Sequence, residues 1–138
     1  MGAVLIGEKV KNLSPGVHGT TFGGNPLSCA AALAALSVME EENLPGQAAE
    51  KGKYLVETIK NIQSPNIREI RGLGMMIGIE MKVKVAPYIK ALQERKIIAL
   101  NAGMTVIRLL PPLVITYEQI DTVVAALTEV LATDFASD

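Results

Sequence analysis

The chain has one cysteine and one histidine in 138 residues, no imbalance of charge and no long apolar run. Cys29 lies alone in an alanine-rich stretch, so neither a disulfide nor a cysteine metal site can form within the chain. His18 has no Ser/Asp or Cys partner set around it, which argues against a catalytic triad or a metal site and leaves it a loop hydrogen-bonding role. Thirteen Lys and Arg against fourteen Asp and Glu give a net charge of -1. Without a basic cluster there is no electrostatic footprint for nucleic acid or an anionic membrane, so the expected partner is a small molecule or a protein. The longest apolar stretch, Leu27 to Met39, is broken by Ser28 and Ser37 and is shorter than the roughly 20 residues a bilayer span needs. It reads as a buried helix. Gly7-Glu8-Lys9 cuts short the apolar Ala3 to Ile6 before a signal-peptide core can form, and a cytoplasmic location is the expectation.

What is present is a chain that is 49% apolar and long enough for one domain with a single core. Ala3 to Ile6 reads as a strand buried on both faces, the kind that parallel sheets use. Asn25-Pro26 predicts a helix start, with Asn as cap and Pro in the first turn, and the helix is expected to run to about Glu42, stopped by Asn43-Leu44-Pro45-Gly46. A second helix is expected over about 47–62, with Ala48, Leu55, Ile59 and Ile62 on one stripe. Strict alternation from Met75 to Val83 predicts a strand covered on one face. A short helix opened by Ala86-Pro87 follows, then strands at 97–100 and 105–110 around a turn at Asn101-Ala102-Gly103, forming a hairpin. Thr116 and Gln119 form a capping box before a helix whose Ile120, Val123, Val124, Leu127, Val130 and Leu131 repeat at helical spacing. The tail from Thr133 is expected to fray.

Two places could carry chemistry. The loop His18-Gly19-Thr20-Thr21-Phe22-Gly23-Gly24-Asn25-Pro26 combines glycines, hydroxyls and a helix start, all suited to an anion. It has neither a Walker-type sequence nor a dinucleotide fingerprint, so the residues alone leave a phosphate site and a tight capped connection both open. Arg108 lies in the apolar strand Val106-Ile107-Arg108-Leu109-Leu110, where a guanidinium needs a carboxylate or water. It could bind substrate, snorkel from an edge strand, or pair with Glu80 on a neighbouring strand. The glycines of Arg71-Gly72-Leu73-Gly74 read as a structural bend.

Taken together, the loop from His18 to Leu27, Arg71-Gly72-Leu73-Gly74-Met75-Met76-Ile77-Gly78, the hairpin and Ile107 to Ile115 resemble the class III pyridoxal-phosphate (PLP) aminotransferases in order and spacing. Within them the chain is most similar to acetylornithine aminotransferases and enzymes acting on carrier-bound lysine or ornithine. The resemblance implies an α/β protein, the C-terminal part of a fold-type I PLP transferase. Residues 1–46 would be a remnant of the large PLP-binding domain, with a strand, the phosphate loop and a connecting helix. Residues 47–138 would be the small C-terminal α/β domain.

By the same resemblance, Thr21 matches the threonine that reaches the cofactor phosphate of the neighbouring subunit in a homodimer and Thr20 matches the Ser/Thr beside it, so both are expected to bind the cofactor. Arg108 matches the arginine that takes the carboxylate of glutamate or 2-oxoglutarate. The Schiff-base lysine, the aspartate that pairs with the pyridinium nitrogen and the aromatic that stacks on the ring have no match here, because the family keeps them upstream. Lys9 and Lys11 lie too close to Thr21 to stand in. The implied activity is amino transfer between an N-blocked ornithine or lysine and 2-oxoglutarate, with this chain inactive alone. The competing expectation is an independent non-catalytic module that binds a partner subunit or a small carboxylate.

Overall fold

The alternation around Ile77 produces a strand at the middle of a four-stranded antiparallel sheet. Its strands are β1 (Ile67–Leu73), β2 (Met76–Met81), β3 (Leu100–Ala102) and β4 (Val106–Leu109), in the order β1-β2-β4-β3. The coordinates are a computed structural model describing residues 2–10, 14, 16, 19–133 and 135. They divide into two compact units, 1–43 and 44–138. The sheet and the whole hydrophobic core belong to the second.

In that unit, apolar residues at every second position put Ile77, Ile79 and Met81 of β2 and Ile107 and Leu109 of β4 on one buried face. Helices α2 (Leu44–Lys60), α3 (Ala86–Glu94) and α4 (Tyr117–Ala132) supply the matching side through Leu55, Ile59, Tyr88, Leu92, Ile120, Leu127 and Leu131, each at most 2% exposed. The capping box forms as expected: the Thr116 hydroxyl accepts from the Gln119 amide at 3.3 Å, and the Gln119 side chain accepts from the Thr116 amide at 3.0 Å. Of the tail expected to fray, Thr133 and Phe135 are described, and Phe135 stacks edge-on against Tyr88 at 4.9 Å.

Several boundaries differ from the sequence expectation. Helix α2 begins at Leu44, because the break falls at Asn43, whose φ is 48°. Pro45 then sits in the first turn, where its missing N–H costs nothing. β3 starts at Leu100 rather than Ile97, and the hairpin turn moves to 103–105, around Gly103 at φ 69°. β1 has no counterpart in the sequence reading. Its Arg68, Glu69 and Arg71 blur the apolar alternation, as charges on an edge strand do. Two glycines let its turn approach α2: Gly74 takes φ 53°, and Gly52 faces the Gly74 carbonyl so closely that no side chain fits between.

The unit 1–43 departs further. Ala3 to Ile6 is not a strand: it has no sheet partner among the described residues, and Val4 and Leu5 are 86% and 99% exposed. A strand made to be buried on both faces needs flanking strands, and this unit contains none among its described residues. Helix α1 (Pro26–Glu41) forms with Asn25 as its cap, but none of its residues is buried. The expectation of a buried helix therefore fails within this chain. Its apolar residues lie all round, a pattern that suits enclosure by several neighbours rather than one stripe on a core.

Candidate functional site

The loop before α1 is shaped by its own hydroxyls and glycines. The Thr20 hydroxyl accepts from the Phe22 amide at 3.3 Å, and the Thr20 carbonyl accepts from Gly23 at 3.1 Å. A Cβ at Gly23 would lie 3.1 Å from the Thr20 methyl, a tight approach that glycine avoids. Asn25 closes the end: its amide donates to the Phe22 carbonyl at 2.8 Å, while its oxygen accepts from the Ser28 amide at 2.9 Å. Thr21 projects from this frame, exposed and without a hydrogen bond among the described residues. Gly24, at φ 68°, has open space where a side chain would stand. The Thr20 oxygen thus braces the turn as an acceptor, and neither Thr20 nor Thr21 donates its hydroxyl proton to a described residue. His18 lies outside the described residues.

Arg108 belongs to the other unit, on the sheet face turned away from the core. Register places Arg71, Gly78, Arg108 and Leu100 in one row across all four strands. Two positions along, Glu69, Glu80, Val106 and Ala102 form the next row on the same face. A shallow cavity of about 430 Å³ opens on this face, with Arg71, Gly78 and Arg108 among its lining residues. The Arg108 Nε is buried and has no hydrogen-bond partner. Leaving such a donor unpaired costs roughly 1–3 kcal/mol.

The suggested pairing of Arg108 with Glu80 does not occur. Glu80 is held from the β1 side, its Oε1 accepting from Arg68 Nη1 at 3.0 Å and its Oε2 from Arg71 Nη1 at 2.7 Å. Arg71 also donates to Glu69 at 2.9 Å. The hydrogen bond from Arg71, assisted by Arg68, holds the Glu80 carboxyl below the ordinary glutamate range, and Glu80 in turn raises Arg71. Arg71, Gly78 and Glu80 were not singled out as site residues from the sequence. For Gly78 and Glu80 the signal was available in the alternation itself, since they lie at odd spacing from Ile77 and Ile79, whereas Arg71 joins them only through the β1–β2 register.

Among the described residues, no group of three His, Cys, Asp or Glu could hold a metal ion, and no helix is long and apolar enough to cross a membrane. The donors that are present, an exposed threonine on a glycine turn and an arginine with an unpaired Nε, are chemically suited to phosphate and to carboxylate.

The helix-backed antiparallel sheet agrees with the comparison to known proteins. The family model Aminotransferase class-III matches residues 1–131, and the chain belongs to that family. It is 52% identical over 128 residues to the [LysW]-aminoadipate semialdehyde transaminase of Deinococcus radiodurans, spanning 92% of this chain and 30% of that protein. It is 50% identical over 125 residues to the ornithine aminotransferase of an Exiguobacterium strain, spanning 91% of this chain and 31% of that protein. Among solved structures, the acetylornithine aminotransferase from Elizabethkingia anophelis superposes with a TM-score of 0.79 at 35% identity, over 87% of this chain and 33% of the other. The chain thus spans about a third of the length of its relatives, as a partial piece of their mixed α/β fold.

Proposed function

We propose that this chain is the C-terminal part of a PLP-dependent aminotransferase of arginine or lysine biosynthesis, acting in the cytoplasm. The enzyme would move an amino group between an N-blocked ornithine or lysine and 2-oxoglutarate. The observation that carries the reading is Arg108, whose buried Nε has no protein acceptor and which lines a cavity on the open sheet face. A planar guanidinium at that position takes a substrate carboxylate in a two-bond pair and fixes the orientation of the amino acid or oxo acid. PLP, when bound, would supply the electron sink for amino transfer.

In this reading Thr21, with Thr20 beside it, donates its hydroxyl to the cofactor phosphate of the partner subunit in a homodimer, while the Thr20 oxygen also accepts from Phe22 to hold the turn. Residues 1–46 belong to the large domain and 47–138 to the small one, and the many exposed apolar residues of α1 support enclosure by the rest of that large domain. The family-type Schiff-base lysine has no match in the chain, so the isolated chain does not catalyse amino transfer.

Arg108→Met in the whole enzyme tests the substrate role. Loss of hydrogen bonds to a charged group predicts a higher KM for 2-oxoglutarate and glutamate, with kcat/KM falling roughly ten- to a hundredfold. Unchanged kinetics would remove Arg108 from the site. Incubating the isolated chain with PLP and an amino donor tests inactivity, and lysine-dependent turnover would refute it. A second reading, an independent carboxylate-binding module, is favoured by one observation: the core lies entirely within 44–138. Activity of the whole enzyme that depends on Arg108 decides against it.

A further inference from the structure

Glu80 and Arg108 lie on the same sheet face of adjacent strands, and Glu80 opposes Val106, two residues from Arg108. Such diagonal neighbours are about 7–8 Å apart at the backbone, within reach of two long side chains. An unengaged Glu80 would therefore be the nearest counter-charge to Arg108 and would compete with any carboxylate entering the cavity.

The structure shows why it does not. Both Glu80 oxygens are occupied from the β1 side, one by Arg68 and one by Arg71. Glu69 and Glu80 together balance the charges of Arg68 and Arg71, so the cluster is neutral without Arg108. Gly78 adds no side chain to the row between Arg71 and Arg108, and a Cβ there would lie 3.9 Å from Arg71 Cγ. The single positive charge that the cluster leaves uncompensated on this row is that of Arg108.

We propose that Arg71 is a positioning residue for the carboxylate site: by holding Glu80 towards β1, it keeps that carboxylate off Arg108 and leaves the guanidinium open to substrate. The inference rests on the reading of Arg108 as the substrate-carboxylate group. It adds that the selectivity of the site for an incoming anion depends on a neutral ion cluster beside it on the same sheet face.

The test uses the 138-residue chain, ¹⁵N-labelled, with the Arg108 Nε–H resonance followed by NMR and glutarate as the probe. In ligand-free R71M, Glu80 is expected to turn to Arg108, shifting that resonance and slowing its exchange. Glutarate affinity should fall about two- to fivefold, the range set by a partly exposed ion pair. In R71M/E80Q both effects should revert, a rescue that a merely structural role for Arg71 would not produce. R71Q, closer in shape and polarity, is expected to behave as R71M and serves if the methionine variant misfolds. An Arg108 resonance in R71M and R71Q identical to the native chain, or a shift that persists in R71M/E80Q, overturns the proposal. Glutarate that leaves Arg108 unmoved in the native chain refutes the carboxylate reading instead, because the Glu80 movement is read without ligand.

Discussion

Gly52→Ala places a better helix former in the interior of α2, yet it should destabilise the 44–138 unit. A Cβ at Gly52 would stand 2.5 Å from the Gly74 carbonyl carbon and closer still to its oxygen. Restoring an ordinary carbon–carbon separation of roughly 3.5 Å requires a retreat of about 1 Å. The obstacle is main chain in a turn at φ 53°, which cannot swing aside as a side chain could. The retreat must separate α2 from the β1–β2 hairpin, and α2 carries Leu55 and Ile59, which are 1% and 0% exposed. Overpacking of this kind typically costs about 1–3 kcal/mol, and the upper end applies here. Helix propensity offsets about 1 kcal/mol of that, leaving a net loss of about 2 kcal/mol. For a unit of this size the expected fall in Tm is about 8–16 °C. Thermal and urea unfolding followed by circular dichroism measure it, with Lys53→Ala, whose side chain is 76% exposed, as a control expected within about 0.5 kcal/mol. A Gly52→Ala chain that melts at or above the native temperature would show that α2 and the hairpin turn are not in backbone contact.

Thr116→Ala removes one half of the capping box and should cost about 1 kcal/mol, read as a lower urea midpoint with an unchanged slope. An unchanged midpoint would mean that α4 is held by packing alone. The Glu80 carboxyl, held low mainly by the Arg71 hydrogen bond, should titrate below the ordinary value of about 4.3 in carbon-detected NMR. Its folded pKa is depressed, so its contribution to stability is complete above the unfolded value and is lost as pH falls through the folded one. R71M should return the midpoint towards the ordinary value, and a native midpoint at or above that value would contradict the ion cluster.

The elements legible in the sequence are those whose signal is local. Asn25 and Thr116 cap their helices through side-chain oxygens three residues from their partners, and Ile77, Ile79 and Met81 face the core because strand periodicity alone puts them there. The candidacy of Arg108 is of the same kind, since a guanidinium within an apolar strand announces a need for an anion. β1 was not legible, because its residues alternate poorly and become a strand by pairing with β2. Nor was the apolar Ala3 to Ile6 reliable as a strand, since doubly buried strands exist through their neighbours.

The sequence by itself determined the family, the helix caps and the core face of the central strands, and it put forward Thr21 and Arg108 as candidates to meet an anion. Only the tertiary structure decided which acid serves which base. Glu80 and Arg108 are diagonal neighbours on one sheet face, and Arg68 and Arg71, brought alongside by the β1–β2 register, hold the carboxylate. Competition among charges for one partner depends on distances across strands, and those distances come from pairing that no local pattern encodes.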